Sequence, residues 1–108
     1  MRTAKVLVHG ELAGILTEVE PRRTFRFQYE TGYSGPPVSL TMPVRGAPWE
    51  FAEFPPFFDG LLPEGAQLEA LLAQSKIDRR DHFSQLVAVG GDLVGAVTVE
   101  DLPDEVDG

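Results

Sequence analysis

The stretch from Phe54 to Gly65, FPPFFDGLLPEG, constrains the fold of this chain more than any other. It holds three of the seven Phe and three of the nine Pro residues. Burying a Phe is worth roughly 1.5–3 kcal/mol, so most of Phe54, Phe57, Phe58, Leu61 and Leu62 belong inside. Pro55 and Pro56 fix φ and lack N–H groups, which suits a helix entrance and not a helix interior. Phe57, Leu61 and Leu62 then share one face of a short helix. Pro63 stops that helix, Glu64 starts the next, and the stretch joins an N-terminal sheet to a C-terminal helical half.

The segments before it carry strand signals. Lys5 to His9 is a strand with Val6 and Val8 on one face and Leu7 on the other. His9-Gly10 is a two-residue turn, and Glu11 to Thr17 returns as a second strand with Gly14 marking a bulge. Glu18 to Arg23 is a polar connector. Thr24 to Glu30 alternates cleanly, with Phe25, Phe27 and Tyr29 opposite Arg26 and Gln28, the strongest strand signal in the chain. Thr31 to Pro37 is a loop, and Val38 to Met42 alternates again as a short strand closed by Pro43. Val44 to Glu50 is irregular, punctuated by Gly and Pro.

Helical patterns dominate after the aromatic stretch. Glu64 to Gln74 places Leu68, Leu71 and Leu72 at i, i+3 and i+4 among alanines, and Lys76 near its end suits the helix dipole. A second helix runs from Arg79 to Val89. Asp78 and Asp81 form its capping box, Phe83, Leu86 and Val87 point inward, and Gly90 ends it. Leu93 to Val99 is a final buried strand. The predicted fold is α+β: a small antiparallel sheet with two to three helices.

At 108 residues the chain is one domain, with 43% hydrophobic and 24% charged residues. It has no Cys and its short apolar N-terminal run is neither a signal peptide nor a span, which fits the cytoplasm. The net charge is −8, and Glu100 to Gly108 carries five acids and no base, leaving −8 + 5 = −3 for residues 1–99. We therefore divide the chain into a domain over 1–100 and an acidic, disordered tail over 101–108. This charge disfavours phosphate-backbone binding and hence direct contact with nucleic acid.

Motifs for chemistry are missing. His9 and His82 have no ligand spacing, so no metal is expected. Asp81, His82 and Ser84 are too close in sequence for a triad and belong to a polar helix surface. The run from Gly90 to Gly95 precedes a strand and lacks the Lys-Ser/Thr ending of a phosphate loop, so no cofactor is expected. Asp59 and Glu64 serve as helix caps. The helix pair around Lys76 has helix-turn-helix spacing, but Asp78 and Asp81 flank its only leading cations, Arg79 and Arg80. Trp49 is the residue the core does not claim. It is either packed or, with Phe51 and Glu50 beside it, an anchor for a partner protein.

Several segments together resemble the N-terminal subdomain of HipA-like serine/threonine kinase toxins. They are the strand–turn–strand ending in Ala13-Gly14-Ile15-Leu16, the run Phe25-Arg26-Phe27-Gln28-Tyr29, and Pro37 to Val44, similar to the family's PLSLSLPL. The run Pro56 to Gly65 is similar to its FFxNLLPEG signature, with Asp59-Gly60 in place of the usual Asn. Leu93 to Val97 is similar to its VGAL strand. No catalytic-loop Asp, metal-binding Asp or ATP-binding Lys is assigned here. The resemblance therefore implies a non-enzymatic, separately encoded form, HipS, of a three-component toxin–antitoxin module. Such a protein neutralises a HipT- or HipA-like kinase, with a HipB-like DNA-binding protein as a further partner. The alternative it implies is a structural subdomain of a longer kinase, and the helix pair adds a weaker one, a DNA-binding regulator.

Overall fold

The computed structural model describes residues 1–93 and 95–102. Five strands form one antiparallel sheet: β1 (Arg2–Val8), β2 (Glu11–Glu20), β3 (Thr24–Tyr29), β4 (Trp49–Phe51) and β5 (Val97–Leu102). Their order across the sheet is β4-β3-β2-β1-β5. Three helices lie between β4 and β5: α1 (Pro56–Asp59), α2 (Gly65–Ser75) and α3 (His82–Val89), followed by a 3-10 turn at Gly90–Asp92. The predicted α+β class holds, including the strand that returns to the sheet after the helices.

Alternation decides which face is covered. Ala4, Val6, Val8, Leu16, Phe25, Phe27, Tyr29, Val97 and Val99 are buried on one face, where Phe54, Phe58, Phe83 and Leu86 join them. On the other face Lys5 pairs with Ile15 and Thr17 with Arg26, and these residues stay partly open to water. The β1–β2 turn forms as read, with His9 at φ 50° and Gly10 at φ 80°. The bulge is also where Gly14 marks it, because the β1–β2 register shifts between Val6 and Leu7. A side chain at Gly14 would run into the Gln28 carbonyl and the Phe27 ring.

Several boundaries differ from the sequence reading. Val38 to Met42 is not a strand: only Ser39 and Met42 bridge, across a tight turn. Trp49 to Phe51 is not irregular but forms the edge strand β4, pairing with Phe27, Arg26 and Phe25. Three residues are too few to show a period, so no strand signal is readable there. α1 is a single turn, with Pro55 at the N-cap and Pro56 first inside as expected, but Phe58 is its buried residue and Phe57, Leu61 and Leu62 are half-buried. Leu68, Leu71 and Leu72 of α2 are likewise only half-buried. Asp59 ends α1 and does not cap it, and Glu64 holds the N-cap position of α2 without a side-chain bond.

α3 begins at His82, not Arg79, because Asp81 is its N-cap and accepts from the Ser84 N–H at 3.2 Å. The last strand starts at Val97, so Leu93 and Ala96 precede it, and Val94 lies outside the described residues. Asp101 and Leu102, assigned to the tail, pair with Ala4 and Thr3 in β5. The rest of that tail, 103–108, is outside the described residues.

One polar group locks sheet to helix. The Arg2 guanidinium donates to both Glu18 oxygens at 2.8 and 2.6 Å, to both Asp81 oxygens at 2.8 and 3.2 Å, and to Ser84 Oγ at 2.7 Å. It also sits 4.8 Å from the Phe83 ring centre. Glu18 is only 4% exposed and further accepts from the Arg22 N–H. The Arg2 bonds lower the Glu18 carboxyl against the opposing effect of burial. Burial pulls Asp81 upward, but the bonds from Arg2 and Ser84 outweigh it and bring the carboxyl from 3.8 down to about 2.

Replacing Arg2 with Met strands a buried Glu18 charge. The expected loss is about 2–3 kcal/mol, less than for a fully buried pair because Arg2 still meets water. Both carboxyls have depressed folded-state values, so this stabilisation is complete above their ordinary values near 4 and fades as pH falls toward 2. Thermal melts of wild type and Arg2→Met should differ widely at neutral pH and converge toward pH 2. A constant gap across that range would remove the cluster from the account of stability.

Candidate functional site

The connection between β3 and β4 is organised around one hydroxyl. Tyr29 ends β3 on the buried face, where its ring stacks on Tyr33 at 5.8 Å. Its hydroxyl accepts from the Val38 N–H at 2.9 Å and donates to the Met42 carbonyl. Those two backbone groups are thereby committed to Tyr29 and not to a neighbouring strand, which is why the Val38–Met42 alternation does not become one. Burial raises the Tyr29 hydroxyl above its ordinary value, so it stays protonated and able to donate. Ser39 closes the turn, its Oγ accepting from the Thr41 N–H at 3.2 Å while the Met42 N–H donates to the Ser39 carbonyl at 3.0 Å.

Val38 and Met42 are buried as the feet of this turn, and Leu40 at its tip is 92% exposed. Leu40 is thus held in water by a turn whose two feet are anchored in the core. Val44, also exposed, follows it. Trp49 closes the base: its indole N–H donates to the Pro43 carbonyl at 3.3 Å, and the Arg45 guanidinium lies 3.4 Å from the centre of its ring. Arg45 in turn donates to the carbonyls of Ala47 and Pro48.

The three residues read as a partner-binding set do not converge. Trp49 and Phe51 pair with Phe27 and Phe25, lie on the core side of the sheet and are half-buried. Glu50 points to the opposite face, where its carboxylate accepts from Arg26 Nε at 2.9 Å. The exposure of Leu40 was not expected, because an apolar residue in an alternating run is assigned to a strand face. The flanking Pro36, Pro37 and Pro43 were the available signal that the run turns instead of extending.

Among the described residues no group of three His, Cys, Asp or Glu could hold a metal ion. Asp81, His82 and Ser84 do not act together: Asp81 and Ser84 serve the Arg2 cluster, whereas the His82 ring meets Phe54 at 5.4 Å. No described helix is long and apolar enough to cross a membrane.

Residues 4–100 match the family described as HipA N-terminal domain. A protein of Haemophilus influenzae described as uncharacterized is 34% identical over 101 residues, covering 94% of this chain and 93% of its own length. "Putative kinase Y4dM" of Sinorhizobium fredii is 33% identical over 103 residues, covering 87% of this chain but 25% of that protein. "Putative kinase Y4mE" of the same organism is 35% identical over 69 residues and is spanned over 16% of its length. A solved structure described as the N-terminal domain of HipA toxin superposes with a TM-score of 0.76 at 32% identity, covering 97% of this chain and 96% of that one.

Tyr29→Phe leaves the buried Val38 N–H and Met42 carbonyl without their partner. The expected cost is about 1–3 kcal/mol, together with faster amide hydrogen exchange at Val38. Leu40→Asp, at a fully open position, should shift stability by less than about 0.5 kcal/mol. Unchanged exchange in Tyr29→Phe would show that the loop is held for another reason.

Proposed function

The chain belongs to the HipA N-terminal domain family, and from that premise we propose that it is a non-enzymatic binding protein for a HipA- or HipT-type serine/threonine kinase. It acts in the cytoplasm as a HipS-like antitoxin, holding the kinase inactive with or without a HipB-like DNA-binding partner. The observation that carries this reading is Leu40, presented at the tip of a turn that Tyr29 staples from below. Membership in a domain that also occurs within a quarter or less of two much longer proteins described as putative kinases supports a surface complementary to a kinase body.

In this reading Leu40 and Val44 enter an apolar recess on the kinase and Trp49 backs them. The hydrogen bonds that already hold the loop backbone lower the ordering cost of docking, which leaves more of the contact energy as affinity. Phe51 lies on the same side of this edge strand as Trp49, so a contact that spreads from the tip meets it first and takes in Glu50 only by wrapping the strand edge onto the opposite face. Inhibition then follows from a bound pose that obstructs the cleft or prevents its closure. The same domain serving as a structural subdomain of a longer kinase is the second reading, favoured by its place in the Sinorhizobium proteins.

The test is kinase autophosphorylation measured with increasing amounts of this chain. Wild type should abolish phosphate incorporation. Leu40→Asp should weaken the inhibition about tenfold or more, as loss of a central apolar anchor does, with an unchanged melting temperature. Trp49→Ala should weaken it while also lowering the melting temperature, since Trp49 is half-buried. Full incorporation at excess wild-type protein would end the antitoxin reading, and full inhibition by Leu40→Asp would move the contact away from this loop.

A further inference from the structure

Two arginine pairs far apart in the sequence face one groove. Arg22 and Arg23 occupy the β2–β3 turn, and Arg79 and Arg80 the turn that leads into α3. An ion pair between Arg22 and Asp78 at 3.9 Å links the two turns. Between them and the β4–α1 connection the groove opens to about 1070 Å³. Four of the nine basic residues of a chain with net charge −8 gather here.

Both turns are fixed from beneath. Buried Gln85 donates to the carbonyls of Asp78 and Arg79 at 3.2 and 2.9 Å, and the Arg80 N–H donates to Asp78 Oδ1 at 2.8 Å. On the other turn the Arg22 N–H donates to Glu18 at 3.1 Å and the Arg23 N–H to the Glu20 carbonyl at 2.9 Å. The floor is apolar and equally fixed, with Phe54 edge-on to Phe25 at 5.2 Å and buried against it.

The charges are unevenly satisfied. Arg79 donates to both Glu69 oxygens at 2.7 Å, and Arg22 is near Asp78. The Arg23 and Arg80 side chains make no hydrogen bond or ion pair among the described residues. Glu53 and Asp59 form the opposite wall, exposed and facing the same groove. Two unpaired guanidiniums carried on turns whose backbone is already hydrogen-bonded favour an anion, since only the side chains remain to be ordered. The volume is that of a site for a molecule or segment, larger than a single small anion fills. The carboxylates of the far wall would repel a continuous polyphosphate, which disfavours nucleic acid.

We propose that this groove binds an extended acidic peptide segment of a partner protein. Its carboxylates meet Arg23 and Arg80, an apolar side chain rests on Phe25 and Phe54, and its backbone N–H groups face Glu53 and Asp59. The site is separate from the Leu40 loop and does not depend on the kinase reading.

A fluorescent synthetic peptide alternating Glu and Phe, titrated with the full chain at low salt and followed by anisotropy and amide resonances, tests this. Saturable binding is expected, with resonance changes centred on Arg22, Arg23, Phe54, Arg79 and Arg80. The Arg23→Gln/Arg80→Gln double variant should bind about tenfold more weakly or worse, the loss of two charge-assisted contacts. Lys76→Gln, an exposed cation outside the groove, should bind like wild type. Both variants should melt like wild type, because the side chains removed are exposed and unpaired. Absence of saturation, equal weakening by Lys76→Gln, or tighter binding of a short DNA duplex than of the peptide would overturn the proposal. Kinase inhibition is read through Leu40, so the two readings stand or fall separately.

Discussion

Three aromatic side chains on one strand organise the molecule. Phe25, Phe27 and Tyr29 point from β3 into the core, and each governs a different neighbour. Phe25 meets Phe54 edge-on and so sets where the chain leaves β4 for α1. Phe27 lies over the Gly14 bulge and 6.1 Å from Phe58, the buried residue of α1. Tyr29 stacks on Tyr33 and reaches the backbone of the β3–β4 loop. Aromatic rings combine large buried area with defined contact geometry. Fixing three in a row therefore fixes the sheet, the helix entrance and the loop together.

A second constraint acts at the other end of the sheet. Arg2 joins two acids from β2 and the start of α3, so helix position is set by a fork of hydrogen bonds as well as by Phe83 and Leu86. Guanidinium is suited to this role because its planar donors address two carboxylates at once. The same cluster shapes the region beneath the arginine groove, since Glu18 and Asp81 also hold the turns that carry Arg22 and lead from Arg80. The chain thus offers two surfaces of opposite character: an apolar tip at Leu40 and a charged groove between two turns. Both depend on backbone held by buried polar side chains, Tyr29 in one case and Gln85 and Glu18 in the other.

Much of this is legible in the sequence. Alternation marked β1 and β3, since residues two apart on a strand share a face and the core had to take one of them, and the turn before β2 marked that strand, whose last residues, Glu18 to Glu20, read locally as a connector. The His9-Gly10 turn and the bulge at Gly14 followed from local backbone preferences, and Pro55 and Pro56 marked the entrance to α1. The acidic balance and the absence of Cys were likewise plain in the composition. The resemblance to HipA-like proteins rested on runs of residues in order, which is information that survives without knowing how they pack.

What the chain alone could not decide were contacts between residues distant along it. The fate of Val38 to Met42 depended on a tyrosine hydroxyl nine residues upstream, and β4 on an edge of β3 that only the assembled sheet provides. Ser84 and Asp81 looked like helix surface until Arg2, some eighty positions away, came to rest on them. Local periodicity fixes which face a residue prefers. Exposure of Leu40, pairing of Glu18 and the meeting of the two arginine pairs arise only when separate segments compete for the same hydrogen-bonding groups and the same buried space.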